Sequence, residues 1–90
     1  MSSYLLKLYV AGYSPTTDEV IATVRRVCEE NLPSDCELLV INVLETPEVA
    51  VRDKVLATPT LIREYPLPVR RLVGDLTDKR VVLKALELEN

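Results

Sequence analysis

The residues best suited to covalent chemistry are two cysteines, Cys28 and Cys36, which stand eight positions apart. This spacing matches neither a Cys-x-x-Cys redox pair nor a zinc-ligand cluster, and the chain has no histidine to serve as a base or ligand. Cys28 falls on the apolar stripe of a predicted helix, where free cysteine typically packs as a small hydrophobic side chain. We therefore predict structural roles for both cysteines and no metal site, with a redox or peroxide-sensing role for Cys36 as the alternative.

The glycines and carboxylates indicate no other catalytic site. Phosphate-cradling loops need clustered glycines, but the chain has only Gly12 and Gly74, which are far apart. Most acidic residues fall on predicted helix surfaces, where solvated charge is expected, rather than converging as an acid-base pair. The sequence thus predicts a protein that is not an enzyme and needs no cofactor.

Five basic side chains form the remaining candidate site. Arg63, Arg70 and Arg71 flank a proline-containing turn, and Lys7 and Lys54 lie elsewhere in the chain. Arginine beside prolines is typical of polar protein-docking surfaces, because its planar fork pairs carboxylates bidentately. A solvated basic face would show the same spacing, so the pattern by itself leaves both interpretations open.

Length and composition place these residues in one small globular domain, residues 1–90. The chain is 48% hydrophobic, as in folded proteins, and its net charge of -3 offers no overall footprint for nucleic acid. The start of the chain has no basic leader, and Lys7 interrupts its first apolar run, so we expect a cytoplasmic protein that does not enter a membrane. A core this small leaves apolar surface that a homo-oligomer, either a dimer or a tetramer, would cover.

The first half of the sequence predicts a strand, a helix and a second strand. Residues 3–11 are apolar on both alternating faces, as in a central strand. Thr16 and Glu19 have the spacing of a capping box, so a helix is expected over residues 16–31. The apolar run at residues 37–44 predicts a buried second strand, parallel to the first through a right-handed crossover.

The second half predicts a short helix, two strands and a last helix. Pro47 opens a helix that must end before Pro59, because a residue preceding proline avoids the α region. Two short antiparallel strands and a final helix follow, at residues 60–64, 69–74 and 78–89. Asp75 to Thr77 are expected to cap the last helix. The order β-α-β-α-β-β-α with a mixed sheet is that of the thioredoxin-like α/β fold.

The stretch LATPTLI at residues 56–62 resembles the segment that places a cis proline beside a reactive cysteine pair in thioredoxin-like proteins. Pro59 would be that proline, at the entry to the third strand. The loop after the first strand, GYSP at residues 12–15, has no thiol at the helix N-terminus, where such an enzyme would need one. The sequence predicts that the scaffold is present and the thiol chemistry absent.

Three longer motifs carry a more specific resemblance. They are LKLYVAG at residues 6–12, DKVLATPTL at residues 53–61 and PVRRLVGDL at residues 68–76. Together they closely resemble the KaiB family of circadian-clock proteins, and the match runs without gaps from Tyr4 to about Leu88. The shared motifs include four residues that are expected to be structural: Gly12, Pro59, Gly74 and Asp75.

This resemblance implies a non-enzymatic protein that binds the N-terminal ATPase ring of a KaiC-like protein, and in clocks also KaiA and output sensor histidine kinases. Lys7, Lys54, Arg70 and Arg71 match basic positions of the family, and Arg63 stands where relatives have a lysine. The resemblance therefore implies partner binding by these five residues, in circadian timing or in clock-derived stress signalling. Docking to a sensor histidine kinase is one alternative, and thiol chemistry at the second cysteine is another.

Proteins of the KaiB family also switch fold, between a self-associating ground state, usually tetrameric, and a thioredoxin-like monomer that binds the ATPase. The resemblance implies that residues 63–88 are the part that rearranges. Ala85 and Glu87 stand where clock members typically have glycine and aspartate. Alanine favours a helix over glycine by about 0.5 to 1 kcal/mol, so we expect this chain to favour the thioredoxin-like state more than clock proteins do.

Overall fold

A four-stranded mixed sheet forms the centre of the computed structural model, which describes residues 3–87. The elements are β1 (Leu5–Val10), α1 (Pro15–Asn31), β2 (Glu37–Asn42), α2 (Pro47–Arg52), β3 (Thr60–Tyr65), β4 (Arg70–Val73) and α3 (Lys79–Ala85). The strands lie in the order β2-β1-β3-β4, with β1 parallel to β2 and antiparallel to β3, and with β4 antiparallel to β3. The thioredoxin-like fold and the central position of the first strand are thereby confirmed.

The core lies between one face of the sheet and the two helices α1 and α3. Alternate residues of β1 point to this face, and the buried residues of α1 follow helical spacing. The core residues that are at most 2% exposed are Leu6, Leu8, Val10, Val20, Val24, Val27, Leu61, Leu76 and Val82. Cys28 and Cys36 pack against this core as partly buried side chains, which is the setting predicted for the helical cysteine.

Helix α1 begins at Pro15, and its N-cap is Ser14 rather than Thr16. Ser14 has an extended backbone, and its hydroxyl accepts a hydrogen bond from the backbone N–H of Thr17 at 3.1 Å. Proline suits the first helical position because the N–H that it lacks would have no partner there. The predicted capping box with Glu19 is wrong, because Thr16 already lies inside the helix.

The last helix is shorter than predicted and is capped by a different residue. It covers Lys79–Ala85 rather than residues 78–89, of which residues 88 and 89 lie outside the described residues. Its N-cap is Asp78, whose carboxylate accepts a hydrogen bond from the backbone N–H of Arg80 at 2.9 Å. Asp75 was expected to cap this helix, but it accepts hydrogen bonds from Thr77 and stabilises the preceding turn instead.

Strand β2 ends at Asn42, two residues earlier than predicted, because the Asn42 side chain turns the chain. Its Oδ1 accepts hydrogen bonds from the backbone N–H of Gly12 at 2.9 Å and of Leu44 at 3.0 Å. Gly12 has a φ of +75, which favours glycine, and a Cβ there would lie 3.3 Å from the Leu44 side chain, which would have to shift slightly. A Cβ at Gly74 would meet no atom within 4 Å, and nothing in the structure explains that glycine.

Candidate docking site

The sheet separates the five basic residues that were predicted to act together. Arg70 and Arg71 are adjacent in β4, so their side chains point to opposite faces. Arg63 is the cross-strand partner of Arg70 and shares the face that α1 and α3 cover. Arg71 pairs with Ile62, which in turn pairs with Lys7, so these three side chains share the opposite face. We term that second surface the open face.

Two rows of side chains cross all four strands on the open face: Leu39, Lys7, Ile62 and Arg71, and beside them Ile41, Tyr9, Thr60 and Val73. Leu39 and Val73, on the two edge strands, are 40% and 60% exposed. The half-buried Lys7 amine lies 3.4 Å from the Glu64 carboxylate. Tyr9, Thr60 and Ile62, in the middle of the open face, are at most 2% exposed, so the accessible part of this face lies on the edge strands, at Leu39, Arg71 and Val73.

The loop after α2 is tied to the open face at Asp53. The Tyr9 hydroxyl donates a hydrogen bond to the Asp53 carboxylate, and Arg52 Nε donates to the same group at 3.1 Å. The Arg71 guanidinium donates to the backbone carbonyls of Asp53 and Lys54. Lys54 has a φ of 56, and its exposed side chain makes no ion pair with any of the described residues. Arg71 thus fixes the backbone that carries the Lys54 amine.

Tyr9 and Asp53 form a hydrogen bond between the sheet and the loop. Tyr9 is 0% exposed, and burial together with the Asp53 hydrogen bond raises the pKa of its phenol well above the ordinary value. Hydrogen bonds from Arg52 and Tyr9 hold the pKa of the Asp53 carboxyl below its usual range. A neutral phenol therefore donates to a charged carboxylate at neutral pH. Sequence analysis missed this pair, because no periodic pattern connects two residues that are 44 positions apart.

Arg63 was expected at the docking surface, but in this structure it is buried, at 5% exposed. Its guanidinium donates to the backbone carbonyls of Pro68 at 2.8 Å and Leu86 at 3.4 Å, and its Nε has no hydrogen-bond partner within residues 3–87. A cation is favourable beside the C-terminal end of α3, where helix carbonyls carry partial negative charge. Arg63 therefore fastens α3 and the β3–β4 turn to the sheet, and its side chain does not reach the surface.

Arg70 also contacts the end of α3. Its guanidinium lies 2.5 Å from the Glu87 carboxylate, and the two side chains are 43% and 59% exposed. Glu87 has a φ of 59, in the left-handed region that residues with a Cβ rarely adopt. Ala85 is the last residue of the helix. The two residues predicted to influence fold switching thus lie at the contact between α3 and β4.

A cavity of about 200 Å³ lies beside Pro59, where a thioredoxin-like enzyme would hold its thiols. The Thr58-Pro59 peptide bond is cis, as predicted. The cavity is lined by Val10, Ala11, Ser14, Thr16, Thr17, Val20, Thr58 and Pro59. Cys28 lies fourteen residues along α1 from Ser14, or about 20 Å at the helical rise of about 1.5 Å per residue.

The two cysteines contact each other, which their spacing in the sequence did not predict. Cys28 and Cys36 are free cysteines that line one cavity, and each thiol shifts the pKa of the other. Within residues 3–87, no group of three or more histidine, cysteine or acidic side chains could hold a metal ion. None of the helices in this part of the chain is long and apolar enough to span a membrane.

Comparison with known sequences gives consistent matches over almost the whole chain. A family model described as the KaiB domain matches residues 7–88. The circadian clock oscillator protein KaiB of Synechococcus elongatus is 46% identical over 86 residues, which cover 96% of this chain and 84% of that protein. The protein of the same name from Microcystis aeruginosa is 45% identical over 86 residues, covering 96% of this chain and 83% of that protein.

Comparison with solved structures gives the same fold. Mitochondrial thioredoxin 3 of Saccharomyces cerevisiae superposes with a TM-score of 0.74 over 97% of this chain and 79% of that chain. Its sequence identity is 15%, so this likeness concerns the fold alone. The N-terminal domain of Synechococcus elongatus SasA superposes with a TM-score of 0.73 at 26% identity, over 100% of this chain and 89% of that chain.

Proposed function

The chain belongs to the KaiB family, and we propose that it acts by binding a partner protein rather than by catalysis. The proposed partner is the N-terminal ATPase ring of a KaiC-like protein, and the proposed role is to regulate that ATPase in circadian or clock-derived timing. The proposal is supported by 46% identity, over 96% of the chain, to a protein named circadian clock oscillator protein KaiB.

The observation that carries this proposal is the fixed position of Lys54 beside the open face. Arg71 bonds only to backbone carbonyls, and neither Arg71 nor Lys54 is paired with a carboxylate among the described residues. Both cations therefore remain free to pair with carboxylates of a partner. Exposed apolar side chains at Leu39 and Val73 add the hydrophobic area that a protein interface needs. An acidic surface that also carries apolar side chains would complement this face.

The cavity beside Pro59 supports binding over thiol catalysis. Its polar side chains are hydroxyl groups, and the two cysteines lie near the opposite end of α1. Thiol catalysis needs a thiolate in an electropositive setting such as a helix N-terminus. Here the N-terminal end of α1 presents Ser14, Thr16 and Thr17 to the cavity, and these have no comparable redox chemistry.

The other predicted contact residues have less freedom to reach a partner. Lys7 is half-buried and paired with Glu64, and Arg63 is buried. Arg70 is exposed but paired with Glu87, so it joins a partner surface only if that pair separates. We therefore propose Lys54 and Arg71 as the principal cationic contacts, with Lys7 and Arg70 as secondary contacts.

Charge reversal at these two residues tests the docking face. We expect Lys54→Glu combined with Arg71→Glu to weaken binding to the KaiC-like ring at least about 100-fold, because like charges placed together cost several kcal/mol. The matched control is Arg80→Glu, which changes an α3 side chain that is 91% exposed and paired with its neighbour Asp78. Binding is measured by size-exclusion chromatography with light scattering, after long incubation with the ATPase and nucleotide, and circular dichroism checks the fold.

The possible outcomes distinguish an error in the proposed contact residues from an error in the proposed partner. Unchanged affinity of the double variant would remove Lys54 and Arg71 from the interface, although the ATPase would remain the partner. A wild-type protein that forms no complex would contradict the ATPase partner itself. The same experiment would then be repeated with KaiA and with a sensor histidine kinase.

We also propose that the thioredoxin-like state is the one that binds, and that Ala85 favours it over the rearranged state. The support is that α3 is helical up to Ala85, where a glycine would favour helix less. Size-exclusion chromatography of the protein alone tests whether it also forms a dimer or a tetramer. An NMR structure with a strand at residues 81–86 in the dominant species would contradict the proposed preference.

A further inference from the structure

A second cluster of reactive side chains lies near the end of α1 that is remote from Pro59. Cys28 belongs to the last part of α1, and Cys36 immediately precedes β2. Both cysteines line a cavity of about 290 Å³, together with Glu29, Pro33 and Ser34. The two thiols are close enough for each to shift the pKa of the other. A disulfide joins two such cysteines when their Cα atoms come within about 7 Å of each other.

The turn that carries Cys36 is held in place by contacts on both sides. The backbone N–H of Cys36 donates to the Pro33 carbonyl at 2.9 Å, and the side chain of Leu32 is buried in the core, at 9% exposed. The Asp35 carboxylate accepts hydrogen bonds from the backbone N–H and the hydroxyl of Ser3, at 2.9 and 2.6 Å. These contacts fix the backbone of the turn at residues 32–36, which holds Cys36 beside the cavity that Cys28 also lines.

We infer that Cys28 and Cys36 are a redox pair that forms an intramolecular disulfide when the protein meets hydrogen peroxide. The Cys36 thiolate attacks one peroxide oxygen, so an S–O bond forms, the O–O bond breaks and a sulfenic acid results. The Cys28 sulfur then attacks the Cys36 sulfur, so the S–S bond forms and the S–O bond breaks. Two electrons and two thiol protons pass to the peroxide, which leaves as two molecules of water.

The surroundings of the two thiols assign their roles. Burial raises the pKa of the Cys36 thiol, and the hydrogen bond from Cys28 partly offsets that effect. Burial raises the pKa of the Cys28 thiol to about 12, so Cys28 is protonated at neutral pH. Cys36 also adjoins the exposed residues Ser34 and Asp35, through which peroxide reaches it. Cys36 is therefore the attacking thiol, and Cys28 is the resolving thiol.

The raised pKa values of both thiols have two consequences. The reduced pair reacts slowly with peroxide, and the disulfide is stable once it has formed. A thiol reacts as its thiolate, so raised pKa values reduce the rate of the first step and do not suit a catalyst that turns over. In a pair with low pKa values, the thiolate stabilises the reduced form, so the disulfide is a strong oxidant and is easily reduced. The raised pKa values here remove that stabilisation of the reduced form. The disulfide would join α1 to the start of β2, and it would stabilise the folded state because it constrains the unfolded chain. We therefore expect a long-lived modification rather than an enzymatic cycle.

Mass spectrometry of peroxide-treated protein tests the inference. Reduced wild-type protein is treated with hydrogen peroxide, and the remaining thiols are then blocked with N-ethylmaleimide in denaturant, where burial no longer raises their pKa values. We expect the mass to fall by two hydrogen atoms, no maleimide to be added, and one peptide to link Cys28 to Cys36. The oxidised monomer should also unfold at a higher denaturant concentration than the reduced one.

Two single variants separate a redox pair from independent cysteines. We expect Cys28→Ser to accumulate a sulfenic acid at Cys36 that dimedone traps, because the resolving thiol is missing. We expect Cys36→Ser to leave Cys28 open to maleimide, with oxidation at least about tenfold slower than in wild type. The inference is overturned if both wild-type thiols stay reactive towards maleimide, if only disulfides between chains form, or if Cys28 oxidises equally fast without Cys36.

Discussion

The two halves of this chain are held together by different interactions. In the N-terminal half, β1, α1 and β2 are joined by apolar packing, and the 17-residue α1 buries four side chains against the sheet. In the C-terminal half, β3 is buried, but α2 and β4 bury no residue and α3 buries only Val82 within its helical span. Leu76 and Leu86, which flank α3, are also buried in the core, and polar contacts give these outer elements a second source of attachment.

Three arginines supply that attachment. Arg63 bonds to carbonyls at the end of α3 and in the β3–β4 turn, Arg70 pairs with Glu87, and Arg71 bonds to the loop after α2. A hydrogen bond contributes about 1 kcal/mol net, whereas a buried aliphatic side chain contributes about 1.5 to 3 kcal/mol. Exchanging such polar contacts therefore costs less than exposing buried aliphatic side chains. All three arginines lie within residues 63–88, the segment that the family resemblance implies will rearrange.

The largest effect is expected from a cavity in the shared core. Leu8 is 0% exposed in the central strand, and we expect Leu8→Ala to lower the free energy of unfolding by about 3 kcal/mol. Both halves should lose stability together, because β1 pairs with β2 and β3. Urea unfolding measures this change, with Leu56→Ala as the control because Leu56 is 98% exposed. A loss confined to the N-terminal half would show that the halves unfold independently.

A smaller and local effect is expected at Arg63. Arg63→Met keeps an unbranched side chain of similar length but leaves the Pro68 and Leu86 carbonyls without their donor. This loss should destabilise the C-terminal half by about 1.5 kcal/mol. Hydrogen exchange of β4 and α3 amides should then accelerate about tenfold, while exchange in β1 and α1 stays unchanged. Arg63→Lys keeps the charge but not the planar guanidinium. Its stability and its exchange rates should lie between those of wild type and Arg63→Met. If exchange accelerated equally in both halves, Arg63 would not act specifically on the C-terminal half.

The smallest effect is expected at Tyr9, which connects the two halves through Asp53. Tyr9→Phe removes that hydrogen bond and should cost about 1 kcal/mol at neutral pH. In wild type, the pKa of Tyr9 is raised on folding, so above about pH 10 the unfolded chain releases the proton first and stability falls as pH rises. The variant should lack this alkaline decline, and it should also lack the tyrosine absorbance change that occurs well above about pH 10. Identical alkaline profiles would show that the Tyr9 hydrogen bond does not couple to stability.

The order of the elements was predictable, but several of their ends were not. Apolar periodicity identified β1, α1 and β2, which bury apolar side chains, whereas the positions of Pro47 and Pro59 delimited α2. The ends depend on single hydrogen bonds. Ser14 and Asp78 cap the helices in place of the expected residues, and the Asn42 side chain ends β2 early.

The candidate site was predictable in composition but not in arrangement. The motifs included Lys54, Arg70 and Arg71, and the predicted strand already placed the two arginines on opposite faces, but what lies against each face depends on the tertiary structure. One side of β4 faces α3 and the other faces solvent, so adjacent arginines acquired different surroundings. The contact between the cysteines also depends on how the turn after α1 folds back.

The sequence by itself determined the thioredoxin-like order, the cis proline segment and membership of the KaiB family, because these depend on local patterns and on residue identity. Only the tertiary structure decided which cations are exposed, that Tyr9 meets Asp53, and that Cys28 meets Cys36. The physical reason is distance along the chain. Burial, charge pairing and thiol contact are properties of neighbours in space, and strand register and turn geometry bring those neighbours together.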